Sequence, residues 1–376
     1  MTSHDSTPAR LLVTGGIGFT LIGALPALYG LALPVWSEQH GPWGAGLVIG
    51  VHGLGCTLAV LAGLFGLLRL TLRLSFVALL AGTLGLALSP GWWGILCGAL
   101  VAGIGFGGLS VVVNRRFLTE FGPRGPGMVG LVNAVFGLGA IAAPAALLLA
   151  GGRPGPVYLG LAAIALVTLP LVRPALRRPN APTGVPPLHA GRLSVLCFIF
   201  ASAVLESGLA GYGPTALLSL GMEASSVALA TSGFFAAFLA GRLALYWVAQ
   251  RTRPELVLAA GLFGTAAALG LASAGLTAPG FIAAGAAVGI QFPAFYVWAT
   301  SVLGPDERLS SAPLIGGLAG STLGPFALAP ILGAWGGPLL FPVLAAVGLV
   351  AGLALLASLR RISRISAATL DKRAPA

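Results

Sequence analysis

The chain reads as an all-α membrane protein of twelve transmembrane helices in two pseudo-symmetric six-helix bundles. Three observations predict this. Of 376 residues, 57% are hydrophobic and only 8% charged, against about 25% charged in a soluble domain. The apolar residues form continuous runs rather than short alternating segments, which fits helices and not a β-barrel. A polar, Pro-rich stretch divides the runs six and six.

The twelve runs are 11–35, 43–66, 74–90, 92–114, 127–151, 156–173, 193–219, 225–248, 255–275, 278–303, 312–334 and 337–358. The first is too long for a signal-peptide core and is read as a retained span. The polar stretch RPALRRPNAPTGVPPLHAGR (173–192) reads as a cytoplasmic linker between an N-terminal bundle (1–172) and a C-terminal bundle with its tail (193–376).

The net charge of +11 does not indicate nucleic-acid binding. The basic residues fall in short segments between apolar runs, where they set topology. With a cytoplasmic N-terminus, 19 of the 20 Lys and Arg lie on the cytoplasmic side, counting Arg242 at the inner end of its span; Arg153 is the exception. Both termini are therefore expected in the cytoplasm of a cell-membrane protein. Arg115 and Arg116 read as headgroup anchors at the inner end of the fourth span. Cys56, Cys97 and Cys197 lie within apolar runs and fit neither a metal site nor a disulfide framework. No cofactor or metal is expected.

The halves repeat each other. Gly103, Gly107 and Gly122-Pro123 recur at one common offset as Gly285, Gly289 and Gly304-Pro305. Gly139 and Pro144 recur at nearly the same offset as Gly320 and Pro325, and Gly63 and Arg73 at a slightly shorter one as Gly241 and Arg251. Two parallel six-span repeats place a substrate site between them near the midplane.

Glu206 stands apart among the nine acidic residues. It lies about 14 residues from Arg192 and 17 from Glu223, in the middle of FIFASAVLESGLAGYGPTAL (198–217). That is roughly 20 Å from the Arg192 side. A carboxylate at such depth tends to be protonated, paired or turned to a water-filled cavity, and so suits proton coupling or substrate binding. A protonated Glu hydrogen-bonded to a neighbouring helix is the structural alternative.

Other polar groups at span depth are few. Tyr29, His52, Asn133, Tyr212, Gln291, Tyr296 and Trp298 are candidates for a substrate or proton pathway, with Asn114 closing the fourth span. Asn133 and Gln291 suit a hydroxylated solute, or alternatively interhelical hydrogen bonds. Tyr29, Tyr296 and Trp298 could stack on a ring. His52 could shuttle protons or simply be packed. Gly213-Pro214 reads as a helix break in the outer half of the seventh span, or as an ordinary proline kink, and Pro293 frees backbone groups near Gln291. Trp36, Trp43, Trp92, Trp93 and Trp335 lie at span ends and read as interfacial belt residues. GIGFGG (103–108) matches a dinucleotide fingerprint only in letters, since no strand precedes it.

The whole chain resembles the major facilitator superfamily. Within it, GIGFGGLSVVVN (103–114), LVNAVFGLGAIAAP (131–144), the seventh span, SGFFAAFLAGRL (232–243) and GAAVGIQFP (285–293) are similar to the fucose-permease-like branch. The resemblance implies alternating access. It also implies a cytoplasmic gate in GLFGLLRLTLR (63–73), where Arg69 and Arg73 match the family's basic residues but its acidic residue is missing. The branch's carboxylates in the first and fourth spans are missing too, with Ser110 at one such position, so fucose recognition is not carried over.

The expected function is secondary active transport of a small solute, proton-coupled, the solute sugar-like or otherwise hydroxylated. Proton-driven efflux of a drug-like or amphipathic metabolite is the alternative. A carrier-derived receptor without transport stands third. The chain lacks HExxH, GxSxG and P-loop motifs, which argues against an enzyme or an ATP-driven pump. Its partners are expected to be the solute, protons and the lipid bilayer, with the protein a monomer and no nucleic acid bound.

Overall fold

The computed structural model describes residues 6–65, 67, 69–172, 190–248, 251–303 and 312–371. The first bundle contains α1 (Ser6–His40), α2 (Val48–Leu64), α3 (Leu72–Leu88), α4 (Trp92–Glu120), α5 (Gly125–Leu149) and α6 (Pro154–Thr168). The second contains α7 (Ala190–Ser219), α8 (Ala224–Val248), α9 (Pro254–Ser273), α10 (Thr277–Gly289), α11 (Gln291–Leu303), α12 (Ala312–Trp335) and α13 (Leu340–Asp371). Among the described residues, eleven spans are long and apolar enough to cross a membrane, and α3 is a shorter apolar helix. In lipid every backbone group must be satisfied within the protein, which is why continuous apolar runs of this length become helices. Exposed Leu149, Leu166, Leu229 and Val350 face outward, as a bilayer requires.

The boundaries have local causes. Pro154 and Pro254 open α6 and α9, at a first-turn position where no amide donor is needed. Gly221 (φ 81°) and Gly275 (φ 104°) take the left-handed conformation that ends α7 and α9.

The tenth span departs from the expected single helix. It divides at Ile290 into α10 and α11. Pro293 has no N–H to give the Gly289 carbonyl, so the helical ladder fails there. The seventh span departs in the opposite sense: α7 runs through Gly213 and Pro214 to Ser219 without a break. Pro214 instead packs on Gly30 of α1, and Gly213 leaves room for the Phe281 ring.

The packing repeats between bundles. α4 lies on α2 and α3, α5 on α1, and α6 on α3; likewise α10 lies on α8 and α9, α12 on α7, and α13 on α9. The glycine repeats explain this. Gly103 and Gly107 press on the carbonyls of His52 and Cys56, while Gly285 and Gly289 press on those of Phe234 and Phe238. Each partner is thus displaced along the chain by the same offset as its glycine. Gly139 meets the Thr20 carbonyl and Gly320 the Phe200 carbonyl in the same manner. A side chain at any of these sites would push the helices apart. Gly304-Pro305, Arg308, most of the linker (173–189) and the residues beyond Asp371 lie outside the described residues.

The bundles meet through α1 with α7, α2 with α12, and α5 with α8. Thr215 donates to the Gly30 carbonyl (2.7 Å), and Tyr212 to the carbonyls of Gly46 (2.8 Å) and Pro325 (3.2 Å). Thr57 and Thr322 share a hydrogen bond (2.8 Å), and Ser232 donates to the Ile141 carbonyl (2.9 Å). Along each helix these contacts run from about mid-span towards the end remote from the two termini. They seal that end.

Candidate functional site

Glu206 lies near the middle of α7, and its side chain is 38% exposed. Its partner is Arg242 of α8, with Nη2 3.8 Å from Oε1. Arg242 falls within the membrane-crossing part of α8 (Ala224–Leu245), near its C-terminal end, where it faces Glu206. The six residues after it, LALYWV, are apolar and could have shown its place within the span in the sequence. The guanidinium carbon sits 4.2 Å from the centroid of the Phe238 ring, one helical turn back on α8. Its Nε is buried and has no hydrogen-bond partner among the described residues. The carboxylate contact, at 3.8 Å, is an ion pair beyond hydrogen-bond length. Both groups are therefore only partly satisfied.

The first bundle contributes an amide pair. Asn133 of α5 donates to Asn114 of α4 (3.2 Å) and to its own helix at Val129 (2.8 Å). Both side chains are half-buried. α5 and α8 run antiparallel, with Ile141 beside Ser232 and Gly137 beside Leu239. One further turn brings Asn133 to the level of Arg242. Amides on one bundle and an ion pair on the other thus share one depth, just beyond the sealed region.

The remaining candidates are distributed elsewhere. Tyr29 shares a hydrogen bond with His52 Nδ1 (2.9 Å), and the rings meet edge to face. Tyr29 is 1% exposed and packed within the first bundle. Tyr212 belongs to the seal. Gln291 is 1% exposed and turns to α9, donating to the Gly261 carbonyl (3.1 Å) and Thr265 (2.9 Å). Trp298 is buried against Phe198 and Phe295. Tyr296 is exposed and stacks on Phe292. Pro293 lies in the first turn of α11. Arg69 and Arg73 are exposed between α2 and α3 and in the first turn of α3.

Two other expectations change. Trp36 and Trp92 are buried and not interfacial. α1 continues to His40, which carries Trp36 onto Tyr158 (5.7 Å, stacked), and Trp92 donates to the Gly41 carbonyl (2.7 Å). Trp43, Trp93 and Trp335 are exposed. Arg116 is buried and paired twice with Glu120 one turn along α4 (2.7 and 3.2 Å), so it does not anchor at headgroups.

The helices have the arrangement of a multi-pass membrane protein with the major facilitator fold, as solved transporters of that fold show. The chain is 26% identical to an uncharacterised MFS-type transporter, YcaD, of Escherichia fergusonii, over 95% of this chain and 97% of that one. Among solved structures it is similar to a D-xylose–proton symporter (TM-score 0.73, 14% identity, 92% of this chain and 96% of that one). It is also similar to the fucose:proton symporter of E. coli (TM-score 0.62, 17% identity, 92% and 97%). No family model matches the chain.

Proposed function

We propose that the protein is a secondary active transporter that carries a small hydroxylated solute together with protons by alternating access. The Glu206–Arg242 contact carries the reading. Two opposite charges at span depth, one 38% and the other 26% exposed, are costly unless exchange of partners is their purpose. Protonation of Glu206 would release Arg242 and change what the cavity can hold. Asn114 and Asn133 would supply hydrogen bonds to solute hydroxyls. Xylose and fucose proton symporters among the structural neighbours support a proton-coupled solute of this size.

With both termini cytoplasmic, the seal is on the outer side and the structure is inward-facing. Residues 173–192 then form a cytoplasmic linker between the two bundles, Arg69 and Arg73 lie at the cytoplasmic gate, and the unit of transport is the monomer. Efflux of an amphipathic metabolite is the second reading, favoured by the aromatic surface of the Phe292–Tyr296 stack.

The test is reconstitution in liposomes with a pH dye inside, using sugars, nucleosides and lipophilic cations. The reading expects solute-triggered proton movement in the wild type that Glu206→Gln loses. Solute flux with unchanged proton movement in the variant would make Glu206 structural.

A further inference from the structure

We infer that the transported solute is a hydroxylated monocarboxylate whose carboxylate docks on Arg242, and that it moves electroneutrally with one proton. The inference rests on the proposed proton coupling at Glu206 and names the substrate class for that site.

The first support is the state of Arg242. A guanidinium has five donors in a planar fork. Here its Nε has no partner among the described residues, and among them its only carboxylate contact is 3.8 Å long. The Phe238 ring lies 4.2 Å from the guanidinium carbon, within cation–π range. A planar fork whose carboxylate contact is beyond hydrogen-bond length fits another carboxylate, which its two Nη groups can bind by parallel hydrogen bonds.

The second support is charge counting. In the empty carrier, Arg242 and Glu206 are the two opposite charges of one site and sum to zero. A neutral solute with a protonated Glu206 leaves Arg242 as an uncompensated cation at span depth, a state the membrane penalises. A monoanion on Arg242 with a protonated Glu206 restores a net charge of zero. The proton goes to Glu206, the carboxylate takes its place on Arg242, and no bond other than the O–H forms. Both the empty and the loaded carrier can then reorient without moving net charge. A dianion such as a phosphate ester leaves the site at minus one, and an amine on Glu206 leaves it at plus one. Hydroxyls on the solute follow from Asn114 and Asn133, which stand at the same depth on the opposite bundle.

The experiment uses the full chain in liposomes and compares D-gluconate, D-glucose and glucose 6-phosphate as probes. Proton entry is followed with and without an inside-negative potassium diffusion potential. The expected result is proton entry driven by a gluconate gradient, changed less than about twofold by the potential, as an electroneutral step requires. Arg242→Gln should lower the gluconate-driven rate by about tenfold or more, and Arg242→Lys should recover part of it, because lysine keeps the charge but loses the fork. Glucose-driven proton entry without a gluconate response would overturn the inference and leave the proposed function standing. Preference for the phosphate ester, or gluconate entry strongly driven by the potential, would also overturn it. No response to any probe would overturn it, and the nucleosides and lipophilic cations would still test the proposed function.

Discussion

Thr57 of α2 and Thr322 of α12, 265 residues apart, share a hydrogen bond of 2.8 Å across the boundary between the bundles. Their helices cross in the same register further along, where Gly53 meets Ser321, Gly50 meets Phe326 and Gly46 meets Ala329. The seal is thus a row of close approaches with a hydroxyl pair near mid-span and Tyr212 further out, and under the proposed alternating access its strength would set the balance between the two states.

Tyr212→Phe removes the donor to Gly46 and Pro325 without removing the ring. A net value of about 0.5–1.5 kcal/mol for a hydrogen bond predicts a shift of roughly twofold to tenfold towards the state open at that end. A cysteine at Ala329, labelled by an impermeant maleimide from the sealed side, should react faster by that factor in the Tyr212→Phe background. An unchanged rate would mean that the row of glycine contacts holds the seal alone.

Glu206→Gln and Arg242→Gln should each lower thermal stability in detergent, and the double variant should lose less than their sum. For a pair this exposed the coupling is expected on the order of 1 kcal/mol. Additive losses would show that the pair contributes nothing as a pair.

Gly139→Val places a side chain against the Thr20 carbonyl, where α5 and α1 touch backbone to backbone. A loss of about 1–3 kcal/mol or more is expected, read as reduced folded yield and a lower melting temperature. Gly160→Ala, where nothing lies within 4 Å of the added carbon, should leave the melting temperature unchanged or raise it slightly.

Gln291→Met keeps the length of the side chain and removes its bonds to α9. Because Gln291 faces Gly261 and Thr265, solute affinity should stay within about twofold while stability falls by about 1 kcal/mol. Asn133→Ala should do the reverse, raising KM by several-fold with little change in melting temperature. Exchange of these two outcomes would relocate the polar wall of the cavity.

The spans and their repeats were legible because hydropathy and glycine spacing are local signals. The offset between Gly103 and Gly285 reappears in the carbonyls they press on, those of His52 and Phe234. Glu206 was legible for the same reason: a lone charge in an apolar run stands out. Arg242 was not, because a cation six residues from the end of a helix fits both a snorkelling anchor and a mid-span partner. Only the position of α7 decides between them. Gln291 took the interhelical alternative and Trp298 a place in the core, which the sequence alone does not decide. Depth can be counted along a span, but the face a residue presents depends on helix phase, and the interruption at Ile290 resets that phase for everything after it. Trp36 depended on α1 extending to His40.

The division of the tenth span has a mechanical consequence. Gly289, the last residue of α10, bears on the carbonyl of Phe238, and the Phe238 ring is the platform under Arg242. Its counterpart in the other half, α4, is an unbroken rod of 29 residues. One half of the machine is therefore jointed and the other stiff. The last turn of α10 bears on the same residue of α8 whose ring lies beside the Arg242 guanidinium, which ties the joint to that side chain through Phe238.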